Sequence, residues 1–362
     1  MFERAKGMGV ARGSAFLVVA LILAACASTP AVAPKTSAAS TTAATSSAAP
    51  TIAAGPAFDA WLAGLRQEAA AKGVSNPTLD AALKGLQPIQ EIIDLEHKQP
   101  ERTMTFVEYR SRVVNAQRVA KGQEMLAEYR PLLNKVATTY GVQPQYIVAL
   151  WGVETDYGRY TGGYPVVAAL ATLAYAGERQ DMFRKELIDA LKIVDEKDVA
   201  PEVMTGSWAG AMGQCQFMPS TFLGYAVDFD GSGRRDIWAD QADVFASMAN
   251  YLASLHWTAG QSWGWEVRLP AGFDENLIGL KVQKQAGDWQ ALGVRNLDGS
   301  NLAAVDVPLS VVAPDGPSGP GYLVYPNFQV IMKWNRSTYF ATTVGLLADR
   351  IAGIQTSALT GD

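Results

Sequence analysis

Histidine and cysteine are scarce in this chain of 362 residues. It contains two histidines, His97 and His256, and two cysteines, Cys26 and Cys215. Two histidines far apart in sequence, with no HExxH motif, exclude a zinc site built from several histidines. Two cysteines do not supply the framework of bridges that stabilises small secreted domains. Zinc chemistry of the multi-histidine or HExxH type and a disulfide-based fold are therefore not expected.

Clusters of basic residues are missing as well. The chain has 30 lysines and arginines against 35 acidic residues, which gives a formal net charge of −5. Because binding to a phosphate backbone needs patches of Lys and Arg, we expect no nucleic-acid partner. With 49% hydrophobic and 18% charged residues, the composition predicts one large or two modest globular units rather than a disordered chain.

The N-terminus has the features of a targeting segment. Three basic residues precede the apolar run "SAFLVVALILAA", which is too short for a membrane span. The run ends in "LAAC", which resembles a bacterial lipobox. Residues 1–26 are thus predicted to be a lipoprotein signal peptide, with Cys26 acylated as the membrane anchor. The alternative is an ordinary signal peptide cut near Ala27, so that Cys26 is discarded. By analogy with Gram-negative sorting, alanine rather than aspartate after the cysteine favours a periplasmic protein anchored to the outer membrane.

The composition and the hydrophobic pattern of the remaining sequence divide it into a tether and a folded region that contains a β-rich insert. Residues 27–55 are nearly all Ala, Ser, Thr and Pro, which predicts a flexible tether. Residues 56–355 are predicted to form the folded region, which we expect to be monomeric. The fold class is α+β and mainly helical, with a small β-rich insert at about 262–324. Apolar residues at helical spacing are clearest over 104–138, 144–157, 165–176, 179–195 and 241–255.

A single carboxylate stands in the apolar stretch "ALWGVETDYG" (149–158). Ile147, Leu150, Trp151 and Glu154 fall on one face of the predicted helix. Burial, and the helix dipole at the last turn, both raise the pKa of such a carboxyl group, and a carboxyl protonated near neutrality suits a general acid. The alternative is that the helix ends a turn earlier and Glu154 is solvated. Asp156 points to another face, as a capping or surface group.

The block "GSWAGAMGQCQFMPSTFLGYAVDFDGSGRRDIW" (206–238) carries the next candidates. Its glycines let the backbone pack closely, and Gln214 and Gln216 offer amides suited to sugar hydroxyl and N-acetyl groups. The alternative is a glycine-rich turn packed for structural reasons. Cys215 is predicted to be a small buried residue rather than a nucleophile, because no histidine lies near it in the sequence.

Within that block, "DFDGSGRRD" resembles the first half of an EF-hand loop. Position 12 of such a loop should be glutamate but is Ala239, so Asp243 is expected to complete the site, with Asp236 as the alternative. An Asp/Gly turn that holds no metal is the other interpretation. The predicted calcium ligands are Asp228, Asp230, Ser232, Arg234 (through its carbonyl) and Asp243.

These residues and their spacing resemble those of the membrane-bound lytic transglycosylase B family, glycoside hydrolase family 103. The resemblance covers about 58–350. The motifs that carry it are "TFVEYRSRV" (105–113), "GVETDYGRYTGGYPVVAALATLAY" (152–175), "GSWAGAMGQCQFMPSTFLGYAVDFDGSG" (206–233), "DVFASMANYL" (243–252) and "YPNFQVIMKWNRSTYFATTV" (325–344).

The resemblance implies a lysozyme-like core with a helical domain and a small β domain. It implies cleavage of the β-1,4 bond between N-acetylmuramic acid and N-acetylglucosamine in peptidoglycan, leaving 1,6-anhydromuramoyl ends. Glu154 would then be the sole acid and base, because the muramoyl C6 hydroxyl attacks from within the substrate. The partners implied are peptidoglycan glycan strands, and the implied cofactor is one structural Ca²⁺ that the chemistry does not require.

The same resemblance assigns substrate contacts near Glu154. Trp334 stands where a tyrosine can occur in the family and would keep its stacking on a sugar. Phe340 also replaces a tyrosine, and Ser232 replaces an aspartate common in the calcium loop. The predicted substrate-binding residues are Tyr109, Ser207, Gln216, Tyr251, Trp334 and Asn335.

Two other functions remain open at this point. A muramidase would hydrolyse the same bond with water and would need a second carboxylate or a water held by Gln216. A non-catalytic lipoprotein could bind glycan and assemble other wall enzymes. The presence of Glu154 in its full motif argues against the second alternative.

Overall fold

The computed structural model describes Ile52 and residues 55–98 and 104–354. The predicted signal peptide over 1–26, its Cys26 and almost all of the predicted tether lie outside the described residues. The described part is mainly helical with small antiparallel sheets, which confirms the predicted α+β class. None of the described helices is both long and apolar enough to cross a membrane.

The described helices follow one another along the chain as α1 (Pro56–Ala71), α2 (Asn76–Ala82), α3 (Gln90–His97), α4 (Phe106–Val113), α5 (Ala116–Glu128), α6 (Arg130–Tyr140), α7 (Pro144–Thr155), α8 (Val166–Ala176), α9 (Gln180–Asp195), α10 (Pro219–Tyr225), α11 (Gln241–Ser254), α12 (Ala286–Ala291), α13 (Pro326–Trp334) and α14 (Thr338–Ile351). The strands are β1 (Tyr164–Pro165), β2 (Thr205–Gly206), β3 (Gly264–Arg268), β4 (Arg295–Asn296), β5 (Ser310–Val312) and β6 (Gly321–Val324).

The helical run predicted over 104–138 is divided into α4, α5 and α6. Asn115 makes the first break: its Oδ1 accepts from the backbone N–H of Arg118 at 2.8 Å, and its Nδ2 donates to the carbonyl of Arg112 at 2.9 Å. Pro131 lies in the first turn of α6 and has no N–H with which to extend the preceding helix. The apolar pattern continues across both breaks, so helical spacing alone does not reveal them.

Helix α7 is the central helix of the larger core. Eight of its twelve residues are buried, and α5, α6, α11 and α14 pack around it. The sequence predicted one apolar face on α7, but the buried residues lie around almost the whole helix. Gly141 ends α6 in the left-handed conformation and Pro144 lies in the first turn of α7, in agreement with the sequence signals.

A tight loop over 206–217 follows the short pair β1 and β2, in which Pro165 lies opposite Thr205. The chain folds back through isolated bridges that link Gly206 to Met212 and Met212 to Phe217. A Cβ at Gly206 would lie 2.1 Å from a backbone carbonyl oxygen, so only glycine fits there. The loop carries two of the predicted substrate-binding residues.

The later strands form a separate antiparallel sheet in the order β4-β3-β6-β5. With α12 and a 3₁₀ turn at Glu275–Leu277, this sheet encloses a second hydrophobic core in which Trp289 is fully buried. Within residues 303–312 of the predicted β-rich insert, only Ser310–Val312 is strand. The segment thus contains both strands and helical turns.

Polar contacts fix this sheet to the helical part. Asp315 accepts from the N–H groups of the first two residues of α4, at 2.7 and 3.3 Å, and from Tyr339 Oη at 2.7 Å. Arg110 of α4 donates to Tyr322 Oη at 3.2 Å and pairs with Glu266 at 3.5 Å. Helix α4 therefore joins the two cores.

Candidate active site

Glu154 lies in the last turn of α7, so the alternative in which that helix ends a turn earlier is wrong. The chain reverses sharply after it, because Asp156, Tyr157 and Gly158 all have left-handed backbones, with φ of 50°, 62° and 81°. Asp156 is the C-cap, and its carboxylate contacts Nε of Arg118 at 3.3 Å. Tyr157 Oη donates to the carbonyl of Arg118 at 2.7 Å. The end of α7, and with it Glu154, is thereby held in place.

The surroundings of Glu154 disfavour its charged form. Burial raises the pKa of Glu154 to about 8, and a hydrogen bond from Nε1 of Trp334 to Oε1, at 2.7 Å, opposes that rise. The ordinary pKa of a glutamate is about 4.3. Glu154 consequently holds a proton at neutral pH and can donate it.

No second carboxylate of the described residues contributes to the pKa of Glu154. Two catalytic carboxyl groups that share a cleft would influence each other's ionisation. The thiol of Cys215 does sense Glu154: burial first, and then the charges of Glu154 and Asp243, raise its pKa well above the usual value. Cys215 is fully buried, with Sγ 3.5 Å from the carbonyl of Val244, and is not placed to act as a nucleophile.

The loop over 206–217 places two predicted residues in buried, bonded positions. Ser207 Oγ accepts from the N–H of Ala211 at 3.0 Å, which leaves its O–H able to donate. Gln216 has a left-handed backbone, with φ of 49°, and its Nε2 donates to the carbonyls of Thr161 and Gly213 at 3.0 and 2.9 Å. Among the described residues, nothing donates to Gln216 Oε1, which can therefore receive a hydrogen bond.

A cavity of about 310 Å³ adjoins the site. Trp334 lines it and also touches Glu154, so the cavity and the carboxyl group share one side chain. The Tyr251 ring meets Trp334 edge-on at a centroid distance of 4.9 Å, and its Oη donates to the carbonyl of Lys333 at 2.7 Å. The cavity is lined by Gln216, Phe217, Met218, Ser220, Thr221, Tyr225, Tyr251, Leu255, Lys333 and Trp334.

Ser207, Tyr109 and Asn335 are not among the residues that line this cavity. Tyr109 lies on α4 with its ring 5.8 Å from that of Tyr339. Asn335 is buried between α13 and α14, where its Oδ1 accepts from the N–H of Ser337 at 3.0 Å, so it shapes the turn after Trp334. Phe340 is also buried, in the first turn of α14.

The side chain of Gln214 binds a tryptophan of α7 and does not line the cavity. Its Oε1 accepts from Nε1 of Trp151 at 2.9 Å, and its Nε2 donates to the carbonyl of Trp238 at 3.0 Å. The sequence suggested an amide for sugar binding, but the structure uses it to fix α7. Sequence reasoning also missed the Trp334 hydrogen bond to Glu154, since no local pattern links residues 180 positions apart.

Three carboxylates of the predicted calcium loop converge. One oxygen from each of Asp228, Asp230 and Asp243 lies within 4.8 Å of the others. Asp243 is buried, and burial raises its pKa, as do the nearby negative charges. Asp236 is not in the cluster; its Oδ1 accepts from two backbone N–H groups in the following turn. The oxygen-only set suits a hard cation such as Ca²⁺.

Ser232 and Arg234 lie in the same loop. The backbone N–H of Ser232 donates to Asp228 and Asp230, and its Oγ donates to the carbonyl of Arg234 at 3.3 Å. The two predicted ligand atoms, the Ser232 hydroxyl and the Arg234 carbonyl, are therefore hydrogen-bonded to each other.

Comparison with known proteins decides the family. The model of the transglycosylase SLT domain matches residues 57–349. The chain belongs to the transglycosylase SLT domain family. It is 32% identical over 263 residues to membrane-bound lytic murein transglycosylase B of Escherichia coli (strain K12), a match that covers 68% of this chain and 67% of that protein.

Solved structures of SLT-family enzymes show the same fold. SltB3 from Pseudomonas aeruginosa, in complex with NAG-anhNAM-pentapeptide, superposes with a TM-score of 0.80 and 44% identity, covering 83% of this chain and 80% of that one. The Escherichia coli lytic transglycosylase Slt35, in complex with calcium, superposes with a TM-score of 0.70 and 28% identity. That match covers 80% of this chain and 92% of the Slt35 chain. The resemblance drawn from the motifs, the lysozyme-like fold and the lytic transglycosylase class are thereby confirmed.

Proposed function

We propose that the protein cleaves the β-1,4 bond between N-acetylmuramic acid and N-acetylglucosamine in peptidoglycan and closes a 1,6-anhydro ring on the muramoyl product. The observation that carries this proposal is a lone carboxyl group, Glu154, whose burial raises its pKa to about 8 beside a cleft of an SLT-family fold.

The reaction uses Glu154 twice. Its proton passes to the glycosidic oxygen as the bond from that oxygen to the anomeric carbon breaks. The resulting carboxylate then takes the proton of the muramoyl C6 hydroxyl, whose oxygen bonds to the anomeric carbon. An internal nucleophile of high effective concentration needs no protein nucleophile and no activated water, and the second transfer restores the acid.

The neighbouring side chains would bind the sugars. The O–H of Ser207 and the Oε1 of Gln216 suit hydroxyl and N-acetyl groups, and the part of the Trp334 ring that lines the cavity suits a pyranose ring. We assign Tyr251 and Asn335 to holding Trp334 and the turn behind it. Tyr109 is assigned to a more distant sugar, because it lies on α4 rather than at the cavity.

The test is digestion of isolated sacculi by the wild type and by Glu154→Gln, followed by mass spectrometry of the muropeptides. We expect anhydromuramoyl ends from the wild type and a loss of at least about 10³-fold in the variant, which still binds sacculi. A variant that kept wild-type activity would refute the role of Glu154.

The same spectra discriminate the two alternative functions. Reducing ends, heavier by one water, would identify a hydrolytic muramidase. Binding to sacculi without any release of muropeptides by the wild type would identify a non-catalytic glycan-binding lipoprotein. The absence of a second carboxylate acting on Glu154 among the described residues favours the transglycosylase.

We further propose that the loop holds one structural Ca²⁺ through Asp228, Asp230, Asp243, the Ser232 hydroxyl and the Arg234 carbonyl. The convergence of three carboxylates and the calcium complex of Slt35 support this site. The ion would neutralise the cluster and fix the loop. Its removal should lower thermal stability before it affects turnover.

The membrane anchor and the domain limits are also proposals. A signal peptide at 1–26, acylation of Cys26 and a tether over 27–55 would deliver the folded region, 56–355, to the periplasm on the outer membrane, and the membrane-bound relative supports this. The second core supports an insert at about 262–324. Labelling with radioactive palmitate should be lost in Cys26→Ala, and membrane fractionation should then release the protein; unchanged labelling would refute the anchor.

A further inference from the structure

The indole of Trp334 makes the one hydrogen bond that the described residues direct at the carboxyl group of Glu154. Its Nε1 lies 2.7 Å from Oε1, within the range of a charge-assisted hydrogen bond. The two residues come from the ends of α13 and α7. Trp334 is only 6% exposed, so water does not compete freely for the N–H.

The orientation of this indole is fixed on several sides. The Tyr251 ring packs edge-on against it at 4.9 Å, and the Phe217 ring lies 5.3 Å away. Tyr251 Oη also anchors the backbone one residue earlier, at the carbonyl of Lys333. The N–H therefore points at Glu154 without needing substrate to place it.

An indole N–H can only donate. Glu154 Oε1 must therefore be the acceptor of this hydrogen bond, both when the carboxyl group is charged and when it is neutral. In the neutral acid the carbonyl oxygen is the better acceptor, so the contact favours Oε1 as the carbonyl oxygen and Oε2 as the oxygen that carries the proton. A phenolic hydroxyl in the same place could also accept a hydrogen bond, and would leave the choice of oxygen open.

We propose that Trp334 is a positioning residue that assigns the catalytic proton to Oε2 of Glu154 and stabilises the carboxylate between the two proton transfers. This inference rests on the proposed function, because it concerns the order of proton transfers in that reaction. It gives the tryptophan a role beyond stacking on sugar: the indole supplies a donor of fixed direction.

Other ionisable groups lie around the site on several elements. Burial raises the pKa of the Cys215 thiol and of the Tyr251 hydroxyl above their usual values, so both stay protonated. Asp243, on α11, is the remaining carboxylate that acts on Cys215. Lys333, on α13, directs Nζ to the carbonyl of Leu255, and at the end of α7 the Asp156 carboxylate is paired with the Arg118 guanidinium.

Carboxyl infrared spectroscopy tests the proposal without using activity. The protonated C=O band of Glu154 is isolated by subtracting the spectrum of Glu154→Gln, and its loss is followed from pH 5 to 10. Trp334→Phe keeps an aromatic ring but removes the N–H, and it is compared with its own Glu154→Gln double variant. We expect the midpoint to rise by about 1 to 2 pH units, because a charge-assisted donor is lost.

Trp257→Phe is the matched control. Nε1 of Trp257 donates to Oε1 of Gln143 at 2.8 Å, at the opposite end of α7. The same chemical change there should leave the Glu154 midpoint in place. If Trp334→Phe fails to fold, Trp334→3-benzothienylalanine keeps the size of the indole while removing its N–H, and it should give the same rise.

The kinetic arm uses kcat/KM for a soluble GlcNAc-MurNAc tetrasaccharide with its peptides. In Trp334→Phe the alkaline limb of the pH profile of kcat/KM should move to higher pH, together with the infrared midpoint. The kcat at pH 7 should fall about 10-fold or more. An unmoved midpoint and limb would overturn the proposal, even if KM rose through lost stacking. If Glu154→Gln were active, the proposed function would be refuted. The infrared midpoint in Trp334→Phe would still test the hydrogen bond to Glu154 independently of that result.

Discussion

Burial of the Glu154 carboxyl makes the stability of the protein depend on pH. The folded state keeps this proton up to about pH 8, whereas an unfolded chain releases it near about pH 4.3. Between these values the unfolded state binds fewer protons, so the free energy of unfolding falls as the pH rises. The acid needed for the reaction is thus retained at a cost in stability.

Glu154→Gln should therefore stabilise the protein in a pH-dependent way. We expect little difference from the wild type at pH 4 and a gain on the order of 4 kcal/mol in the free energy of unfolding at pH 8. Urea unfolding at pH 4, 6 and 8 measures this. The exposed Glu202→Gln is the control and should show no such trend; a gain that stayed flat with pH would contradict the raised pKa.

Prediction of single residues from the sequence succeeded where the signal was local. Glu154 was found because a carboxylate interrupts an apolar helical stretch near the helix end. The Trp334 hydrogen bond was not found, because it joins the ends of two helices 180 residues apart. Gln214 was found as a buried amide, but its partner, Trp151, depends on packing that spacing does not encode.

At the level of elements, helix termini were predictable where a residue dictates the backbone. Gly141 and Pro144 mark the end of α6 and the start of α7 in the sequence as in the structure. The break at Asn115 was missed, because asparagine also occurs inside helices and the apolar pattern does not change there. Helix α12 was missed because six residues between strand-like runs give too short a periodic signal.

Helix α14 packs closely against Trp263 of the larger core through a glycine. A Cβ on Gly345 would lie 2.2 Å from Cδ2 of Trp263, which is fully buried and donates from Nε1 to Asp349 at 2.9 Å. Gly345→Ala should lower the free energy of unfolding by about 1 to 3 kcal/mol, because the indole has no room to move. Thermal unfolding by circular dichroism checks this.

Gly64→Ala is the matched control for Gly345→Ala. Gly64 lies inside α1 and nothing stands within 4 Å of a Cβ there. Helix propensity alone then acts, and we expect a gain of about 0.5 to 1 kcal/mol. Equal changes in the free energy of unfolding at the two positions would mean that the indole of Trp263 leaves room for a Cβ at residue 345.

The acidic loop should respond to calcium. Millimolar Ca²⁺ added to protein treated with a chelator is expected to raise the melting temperature by about 2 to 6 °C, because the ion binds the folded state alone. Asp230→Asn should weaken the rise while leaving the backbone contacts of Asp228 and Asp243 intact. An equal rise with Mg²⁺, or none with Ca²⁺, would count against the site.

At the scale of the whole molecule, Asp315 joins the two cores. It satisfies two N–H groups at the start of α4 and the hydroxyl of Tyr339. Asp315→Ala should cost about 2 to 4 kcal/mol, because several donors lose a charged acceptor. Urea unfolding followed by tryptophan fluorescence should show the loss, with Asp306→Ala, an exposed residue of the same segment, close to wild type. A loss below about 0.5 kcal/mol would mean that the contact does not couple the cores.

The link between Glu154 and Trp334 has a consequence for biosynthesis. Helix α7 is made early, but α13 and α14, which supply the indole and pack on α7, come at the far end of the described chain. Contacts this distant in sequence require the closure of a long loop before they can form. A growing or truncated chain that lacks these two helices therefore carries the glutamate without its partner. Full activity would therefore require that α13 and α14 have been synthesised.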